Sequence, residues 1–447
     1  MRQASRDDAD AVTLPATPPS SKAHRGPFSY HFLGKEKEIV EARRIFVTIL
    51  FQRTMLVVVS ILLVFSVYWA AVQRLPARSL QGWIVDFDGE DVGQFVANAL
   101  KATTSFGPTI TWNVRDAAAE FPNGPDDLLQ AVLNEACWVA VAINPGVSKS
   151  LNESLAGSGS SYNSSNAIAA YSLEGRNENA FRAVLRPTVT TALDSITHSY
   201  AVKRVSSLLT SNAPITNISP DILTRPVYFT FQNLRPFDVG VATAVTFIGL
   251  IYLLILSFIV VNSGIMARAT SGLDDKLTTA SLIRVRVISP LICYLPLTLA
   301  YSLLTLAFGF PFDRYFGRGG FMAFWMLSWF GMAAAGLALE SMTTLLTGKY
   351  IQIFMVLWII GNVAVCLWPI DALPVLYRYG YVSPFYNISR GVRAIAFGTK
   401  NDLGLNFGVL SVWIVISCIS LPLVQWYRRR EQVRAAEKRV VLPKSSV

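Results

Sequence analysis

The chain has 447 residues, of which 52% are hydrophobic and 15% are charged, and its mean hydropathy is +0.41. This composition excludes an ordinary soluble protein and is typical of a multi-span membrane protein. The net charge of +10 indicates basic segments that stay on the cytosolic side and attract anionic lipids. Because no basic soluble domain or nucleic-acid motif accompanies that charge, we expect membrane lipids and not nucleic acid as partners.

The first 72 residues predict a tail, a juxtamembrane helix and a membrane span. Residues 1–25 are rich in Ala, Ser, Thr and Pro, which predicts a disordered cytosolic N-terminus that is too polar for a cleaved signal peptide. Residues 26–53 combine cations with periodic apolar residues, as a juxtamembrane helix does. Residues 54–72 carry no charge and are close to the ~20 residues that a membrane-spanning helix needs. We therefore expect an uncleaved signal anchor with its N-terminus inside.

The long polar segment 73–237 predicts an α/β domain on the far side of the membrane. Strand patterns alternate with helical patterns along it. The predicted strands cover 83–87, 109–114, 138–143 and 226–231, and the predicted helices cover 92–100, 126–136 and 179–209.

This inserted segment also contains three N-glycosylation sequons. They are at Asn152, Asn163 and Asn217, and such triplets are also common by chance. Their clustering favours an extracytoplasmic location without proving it.

Residues 238–426 predict five further spans, which gives six transmembrane helices in a one-plus-five arrangement. The five spans are 239–261, 287–308, 321–346, 350–368 and 406–426. With the N-terminus inside, the loop 262–286 and the basic tail 427–447 also fall inside, as the positive-inside rule requires. The segment 370–404 is the exception, because it falls outside and yet is basic.

That segment predicts a re-entrant or interfacial hairpin. Two short amphipathic arms meet at Ser383–Pro384, and each arm is too short to cross a bilayer. Tyr and Arg side chains could reach lipid headgroups from such a position. The alternative is an interfacial helix pair that only packs against the last span. The residues of interest are Pro374, Tyr379, Pro384, Asn387, Arg390 and Arg393.

Two polar residues inside the later spans are candidates for a transport path. Glu340 is the acid that lies well inside these spans, and charged groups at such depth are costly and often functional. A partly solvated glutamate near the cytosolic end is an equally acceptable interpretation. Asn362 is expected to form a hydrogen bond between helices.

The late segment LPVLYRYGYVSPFYNISRGVRAIAFGT with the last span resembles the terminal hairpin of type-2 ABC exporter permeases. More narrowly, YWAAV and LQGWIVDFDG together with LPVLYRYGYVSPFYN are similar to the fungal nitrosoguanidine-resistance membrane protein family. The resemblance covers residues 26–430. It implies an ABC type-2 permease-like fold, a homodimer, and a role in resistance to toxic compounds and in transbilayer lipid distribution.

Enzymatic chemistry is not expected. The segment IVDFDG, with Asp86 and Asp88, imitates the start of haloacid-dehalogenase phosphatases, but the rest of that signature is missing. A strand followed by a helix-capping turn explains these residues better. The sequence G-x-x-x-x-G-K-[ST] does not occur, so we expect no ATPase in the chain itself, and no metal or cofactor is indicated.

These patterns favour a permease-like protein that depends on another source of energy. The alternative is a non-transporting scaffold or regulator that binds another membrane protein through its exterior domain or basic tail. The plasma membrane is the expected location, ahead of the endoplasmic reticulum.

Overall fold

The structure, a computed structural model, describes residues 30–103, 109–156, 162–211 and 218–441, although the side chains of 347–349 and 435–441 are not described. It divides into two compact units, residues 1–61 and 62–447. The predicted disordered N-terminus, residues 1–25, lies outside the described residues.

The first unit contains one long exposed helix, α1, over Lys37–Ser60. The predicted juxtamembrane helix covers 26–53, and residues 26–29 lie outside the described residues. Residues 30–36 are not helical, because this short segment folds back onto the helix. Arg43 Nη1 donates to Phe32 O at 3.0 Å, and the rings of Phe32 and Phe46 meet edge to face. No residue of α1 is buried, as expected of a helix whose apolar side chains face lipid.

The second unit begins with helix α2 and an α/β domain, which we call the inserted domain. A π-helical turn over Ile61–Phe65 leads into α2, Ser66–Val72. The strands are β1 Leu80–Asp86, β2 Ile110–Arg115, β3 Val139–Ile143, β4 Ile168–Ser172 and β5 Phe229–Asn233. The helices are α3 Asp91–Ala102, α4 Ala117–Glu120, α5 Pro125–Leu133, α6 Val147–Leu155, α7 Glu178–Ala180, α8 Arg186–Thr210 and α9 Pro220–Thr224.

The five strands form one mixed sheet in the order β2-β1-β3-β4-β5. The β3–β4 pair is antiparallel and the other pairs are parallel. Helices α3, α6 and α8 cover one face and α5 covers the other, so the central strands β3 and β4 are buried along their whole length. The four predicted strands are confirmed within a few residues. The sequence pattern does not predict strand β4, because Ile-Ala-Ala-Tyr-Ser is short and its apolar and polar residues do not alternate.

The rest of the unit is a helical bundle. A π-helical turn over Ala244–Ile248 leads into α10, and two short 3₁₀ segments, Ile370–Ala372 and Val375–Val382, precede α15. The helices are α10 Gly249–Ser271, α11 Leu273–Lys276, α12 Thr279–Ala307, α13 Asp313–Phe316, α14 Gly319–Val363, α15 Pro384–Phe397 and α16 Leu403–Val441.

Helix α14 reverses its direction. Phe330 contacts Phe407 and Trp358 contacts Trp413, both on α16. A straight helix would separate Phe330 from Trp358 by about 42 Å, whereas Phe407 and Trp413 are only about 9 Å apart. The carbonyl of Leu345 accepts from Arg428, which lies farther along α16 than Phe407 and Trp413. The helix therefore still runs in its first direction at Leu345 and turns back after it. We call Gly319–Leu346 the first arm and Tyr350–Val363 the second arm.

In the described part of the chain, five helices are long and apolar enough to cross a membrane. They are Lys37–Val72, Ala244–Ser271, Thr279–Ala307, Gly319–Leu346 and Leu403–Arg434. The expectation of an α-helical membrane protein is thus confirmed. The remaining predicted span, residues 350–368, corresponds to the second arm, which is a shorter apolar helix of about 21 Å. The predicted tail is helical as far as Val441, because α16 continues past the last span.

Candidate functional site

Glu340 lies at the centre of a buried ion cluster in the bundle. Its Oε1 is 2.6 Å from Arg286 Nε and 3.2 Å from Arg268 Nη2, and all three side chains are less than a tenth exposed. The interpretation of Glu340 as a partly solvated residue is therefore wrong. We call Glu340, Arg268, Arg286 and Gln425 the Glu340 cluster.

The Glu340 cluster joins four helices of the bundle. Arg286 of α12 donates through Nη1 to Gln425 of α16 at 2.5 Å. Its Nη2 donates to the Glu340 carbonyl at 3.1 Å and to Thr344 Oγ1. Arg268 brings α10 to the same carboxylate and lies 3.3 Å from Asp274. These contacts fix the guanidinium of Arg286 in one orientation.

Sequence reasoning found Glu340 and missed its partners. Arg268 and Arg286 contributed to the prediction only as positive charges on an inside loop. A signal was present, because a carboxylate inside an apolar span needs a cation close by to remain buried. Arg286 directly precedes the predicted span at 287–308, so it was the natural candidate for that cation.

A cavity of about 430 Å³ opens beside the Glu340 cluster. This volume lies within the range of about 300–1,000 Å³ that is usual for small-molecule sites. The charged groups around it come from α10, α11, α12 and α16. They are Arg268, Asp274, Asp275, Arg286, Arg428 and Arg429.

Helix α15 of the predicted hairpin is buried within the protein. Phe385, Ile388, Val392 and Ile395 lie on one face and are all buried, as the amphipathic pattern predicts. Asn387 is buried as well, and its Nδ2 donates to Tyr381 O and Ser383 O, both at 2.9 Å. Asn387-Ile388-Ser389 is also a glycosylation sequon, but its buried asparagine is inaccessible in the folded protein.

Asn362 links the second arm to the start of α15. Its Oδ1 accepts from Ser383 Oγ at 2.7 Å, and its Nδ2 donates to Trp358 O at 2.8 Å. Asn362 does not belong to the Glu340 cluster.

The prolines and the tyrosine of the hairpin shape its turns. Pro384 occupies the first turn of α15, and Pro374 precedes the longer 3₁₀ segment. Tyr379 is partly exposed, and its hydroxyl donates to Gly361 O at 2.7 Å.

A second ion cluster joins the hairpin to the inserted domain. Glu135 contacts Arg390 at 2.8 Å and Arg176 at 3.2 Å, and the Lys400 amide donates to it at 3.2 Å. Arg176 lies 3.6 Å from the Trp138 ring centroid. Burial lowers the pKa of Arg176, and the charge of Glu135 opposes this effect. Glu135 also adopts a left-handed backbone conformation, with φ 60°, which is uncommon for a residue other than glycine.

Arg393 completes this second cluster, which we call the latch. Its Nη1 lies 2.6 Å from Glu178 Oε2 and donates to Gly175 O at 3.0 Å. Asp371 and Asp402 add two further carboxylates near Arg176 and Arg390. The idea that Arg390 and Arg393 reach for lipid headgroups is therefore wrong.

The sequons of the inserted domain differ in what the structure describes. Asn152 lies in α6 and Asn163 precedes a 3₁₀ turn, and both side chains are exposed. Asn217 lies outside the described residues.

The acidic turn after β1 has a structural role. Asp86 Oδ1 accepts from the amides of Asp88 and Gly89 at 3.0 and 2.9 Å. Asp88 accepts from the amide of Ser148 at 3.0 Å and from its hydroxyl at 2.5 Å. Both aspartates thus fasten loops at the edge of the sheet.

Comparison with known proteins identifies relatives but no activity. The chain is 27% identical over 332 residues to the uncharacterized endoplasmic reticulum membrane protein YJR015W of Saccharomyces cerevisiae. The alignment covers 72% of this chain, and the chain spans 64% of the length of that relative. No solved structure matches. The model of the family described as "Protein of unknown function (DUF3533)" matches residues 53–419. Because this match covers most of the sequence and both the inserted domain and the bundle, the chain belongs to that family.

Proposed function

We propose that this protein is a six-span, permease-like membrane protein without an ATPase of its own. It contributes to transbilayer lipid distribution or to resistance against toxic compounds of the nitrosoguanidine type. The reversal of α14 supports the sixth span, because the second arm returns along α16. The resemblance to type-2 exporter permeases supports the general architecture and a homodimer.

The observation that carries this proposal is the Glu340 cluster. Buried ion pairs contribute little net stability compared with apolar packing, because desolvation offsets their attraction. Ionisable residues inside a membrane domain therefore mark functional sites by default. Here the cluster lies where four helices meet, beside a cavity large enough for a polar headgroup.

Reconstitution into liposomes tests the proposal. Purified protein is mixed with lipids of which a small fraction is fluorescent, and dithionite quenching measures how fast labelled lipid changes leaflet. We expect the wild type to accelerate exchange and Glu340→Gln to abolish the acceleration. Glu120→Gln is the matched control, because Glu120 forms an exposed pair with Arg115 on the inserted domain. Exchange no faster than in protein-free liposomes, with and without added ATP, would refute lipid movement by the protein alone.

The yeast relative carries an endoplasmic reticulum location in its name, and nothing in the comparisons supports the plasma membrane. We therefore place this protein in the endoplasmic reticulum, with the inserted domain in the lumen. Asn152→Gln and Asn163→Gln should each remove one glycosidase-sensitive mobility shift, and Asn387→Gln should remove none. Glycans on a sequon engineered into the loop at Asp274–Lys276 would contradict this orientation.

A non-transporting scaffold is the second candidate. The latch favours it, because it fastens the inserted domain rigidly to the membrane bundle, as a stable docking platform requires. A scaffold predicts no lipid exchange in liposomes and the same phenotype for Glu340→Gln as for wild type in cells, provided that protein levels match.

A further inference from the structure

The cavity beside the Glu340 cluster carries an excess of positive charge. Four guanidinium groups surround it, from Arg268, Arg286, Arg428 and Arg429. Three carboxylates, Asp274, Asp275 and Glu340, lie on its wall or directly behind it. Among the side chains that the structure describes around the cavity, one positive charge is therefore left without a compensating carboxylate.

Two of the arginines retain unused hydrogen-bond donors. Arg428 donates through Nη2 to Leu345 O at 2.9 Å. Arg429 donates to Asp274 O at 2.9 Å and to Leu277 O at 2.8 Å. In the described part of the chain their contacts are to carbonyls at helix ends and not to carboxylates. Each guanidinium has five N–H groups, so most donors of Arg428 and several of Arg429 remain available.

The position of the cavity indicates where its ligand comes from. Apolar helices α10 and the first arm end beside it, α12 begins there, and the apolar part of α16 gives way to the run Arg428–Arg430. Such a boundary is where lipid headgroups lie. Arginine pairs bind phosphate bidentately, and basic pockets between membrane helices bind phosphate-bearing headgroups.

We propose that this cavity binds a phosphate monoester, held by Arg428 and Arg429 with Arg268 at its base, while Glu340 positions Arg286. This inference rests on the proposed function in that it names the substrate class of the same site. The phosphate has two potential sources, the headgroup of a lipid such as phosphatidic acid and a soluble phosphate ester. The same donors would bind either one.

Binding to the detergent-purified protein tests the proposal without requiring transport. The probe is fluorescent dioctanoyl phosphatidic acid, followed by anisotropy. Dioctanoylglycerol, which lacks the phosphate, and glycerol 3-phosphate, which lacks the acyl chains, serve as competitors. We expect the probe to bind and dioctanoylglycerol not to compete. Competition by glycerol 3-phosphate at similar concentrations identifies the soluble ester as the source, and its failure identifies the lipid. Either result supports a phosphate site.

Variants of adjacent arginines locate the site. Arg428→Gln with Arg429→Gln should weaken binding about tenfold or more, since each removes a charged hydrogen bond to phosphate. Arg430→Gln is the matched control, because Arg430 is exposed on the same turn and lies over Trp426 instead of the cavity. The double substitution to lysine should bind with intermediate affinity, because lysine retains the charge but not the planar fork.

Several outcomes would overturn the inference. The first is competition by dioctanoylglycerol as strong as that by unlabelled phosphatidic acid. The second is a loss of affinity in Arg430→Gln equal to that of the double glutamine variant. The third is unchanged probe binding in the double glutamine variant. If that variant does not fold, raising the salt concentration with wild-type protein replaces it, since phosphate binding should weaken and acyl-chain binding should not. Phosphate binding without lipid exchange refutes only the lipid-movement part of the proposed function. Lipid exchange by the wild type, together with phosphate binding that is unchanged in the double glutamine variant, refutes the inference alone.

Discussion

The latch and the Glu340 cluster are both built from arginines and carboxylates, but their charge balance differs. In the latch, three arginines and Lys400 face four carboxylates, and the acids come from both the inserted domain and the hairpin. Around the cavity beside the Glu340 cluster, the described residues provide four arginines and three carboxylates, and carbonyls accept from two of those arginines.

This difference indicates different roles. A balanced cluster satisfies its own charges, so it holds two segments together and has little affinity for an added ion. An unbalanced cluster beside a cavity retains donors and charge that an anion can satisfy. We therefore regard the latch as a structural joint and the cavity as the binding site.

The largest effect is expected from Glu135→Ala in the latch. The substitution leaves Arg176 and Arg390 without their shared carboxylate and the Lys400 amide without its acceptor. Removing one partner of a buried ion pair costs about 3–5 kcal/mol. Thermal unfolding of the purified protein should show a clear loss of stability. Glu120→Ala, in an exposed pair, should cost less than about 1 kcal/mol. Equal losses of stability in the two variants would show that the latch stabilises the fold no more than an exposed ion pair does.

Glu340→Gln should cost less than Glu135→Ala, about 2 kcal/mol. The amide oxygen can still accept from Arg286, which also keeps Gln425 and Thr344. The other carboxylate oxygen, Oε2, has no hydrogen-bond partner among the described residues, so little is lost there. If unfolding measurements showed a larger loss than for Glu135→Ala, the Glu340 cluster would be the structural joint and the comparison would reverse.

Two glycine substitutions compare the packing of the two regions. A Cβ on Gly175, in the latch, would lie 2.7 Å from Phe397 Cβ, whereas one on Gly264, near Arg268, would meet its nearest atom at 3.4 Å. Overpacking makes Gly175→Ala destabilising by about 1–3 kcal/mol. Gly264→Ala should be neutral or stabilising by up to about 1 kcal/mol, because alanine favours a helix. Similar unfolding temperatures for the two variants would remove this distinction.

The smallest effect on stability is expected from Arg428→Gln and Arg429→Gln. Both side chains are half-buried and their partners are helix-end carbonyls, so each should cost less than about 1 kcal/mol. The same variants should lose phosphate binding. At the cavity these substitutions should therefore reduce binding without much loss of stability. A loss of stability as large as that of Glu135→Ala would argue that these arginines are structural.

Local patterns in the sequence predicted much of the fold. The long apolar helices, four of the five strands and the buried face of α15 all follow from hydrophobic length or period, which neighbouring residues determine. Strand β4 was not predicted, because its burial depends on strands on both sides of it and not on its own pattern. The sequence also leaves undecided whether Glu340 is buried or partly solvated, because its burial depends on how the other helices pack around it.

The sequence by itself determined that this is a membrane protein with a folded insert, and it singled out Glu340 as an acid within a span. The tertiary structure alone decided which cations meet that acid, where α14 turns back, and why a basic hairpin can lie beneath the inserted domain. The physical reason is distance along the chain. Hydrophobicity acts between neighbours and can be read locally, whereas the partners of Glu135 and Glu340 come from segments tens to hundreds of residues away and meet only after folding.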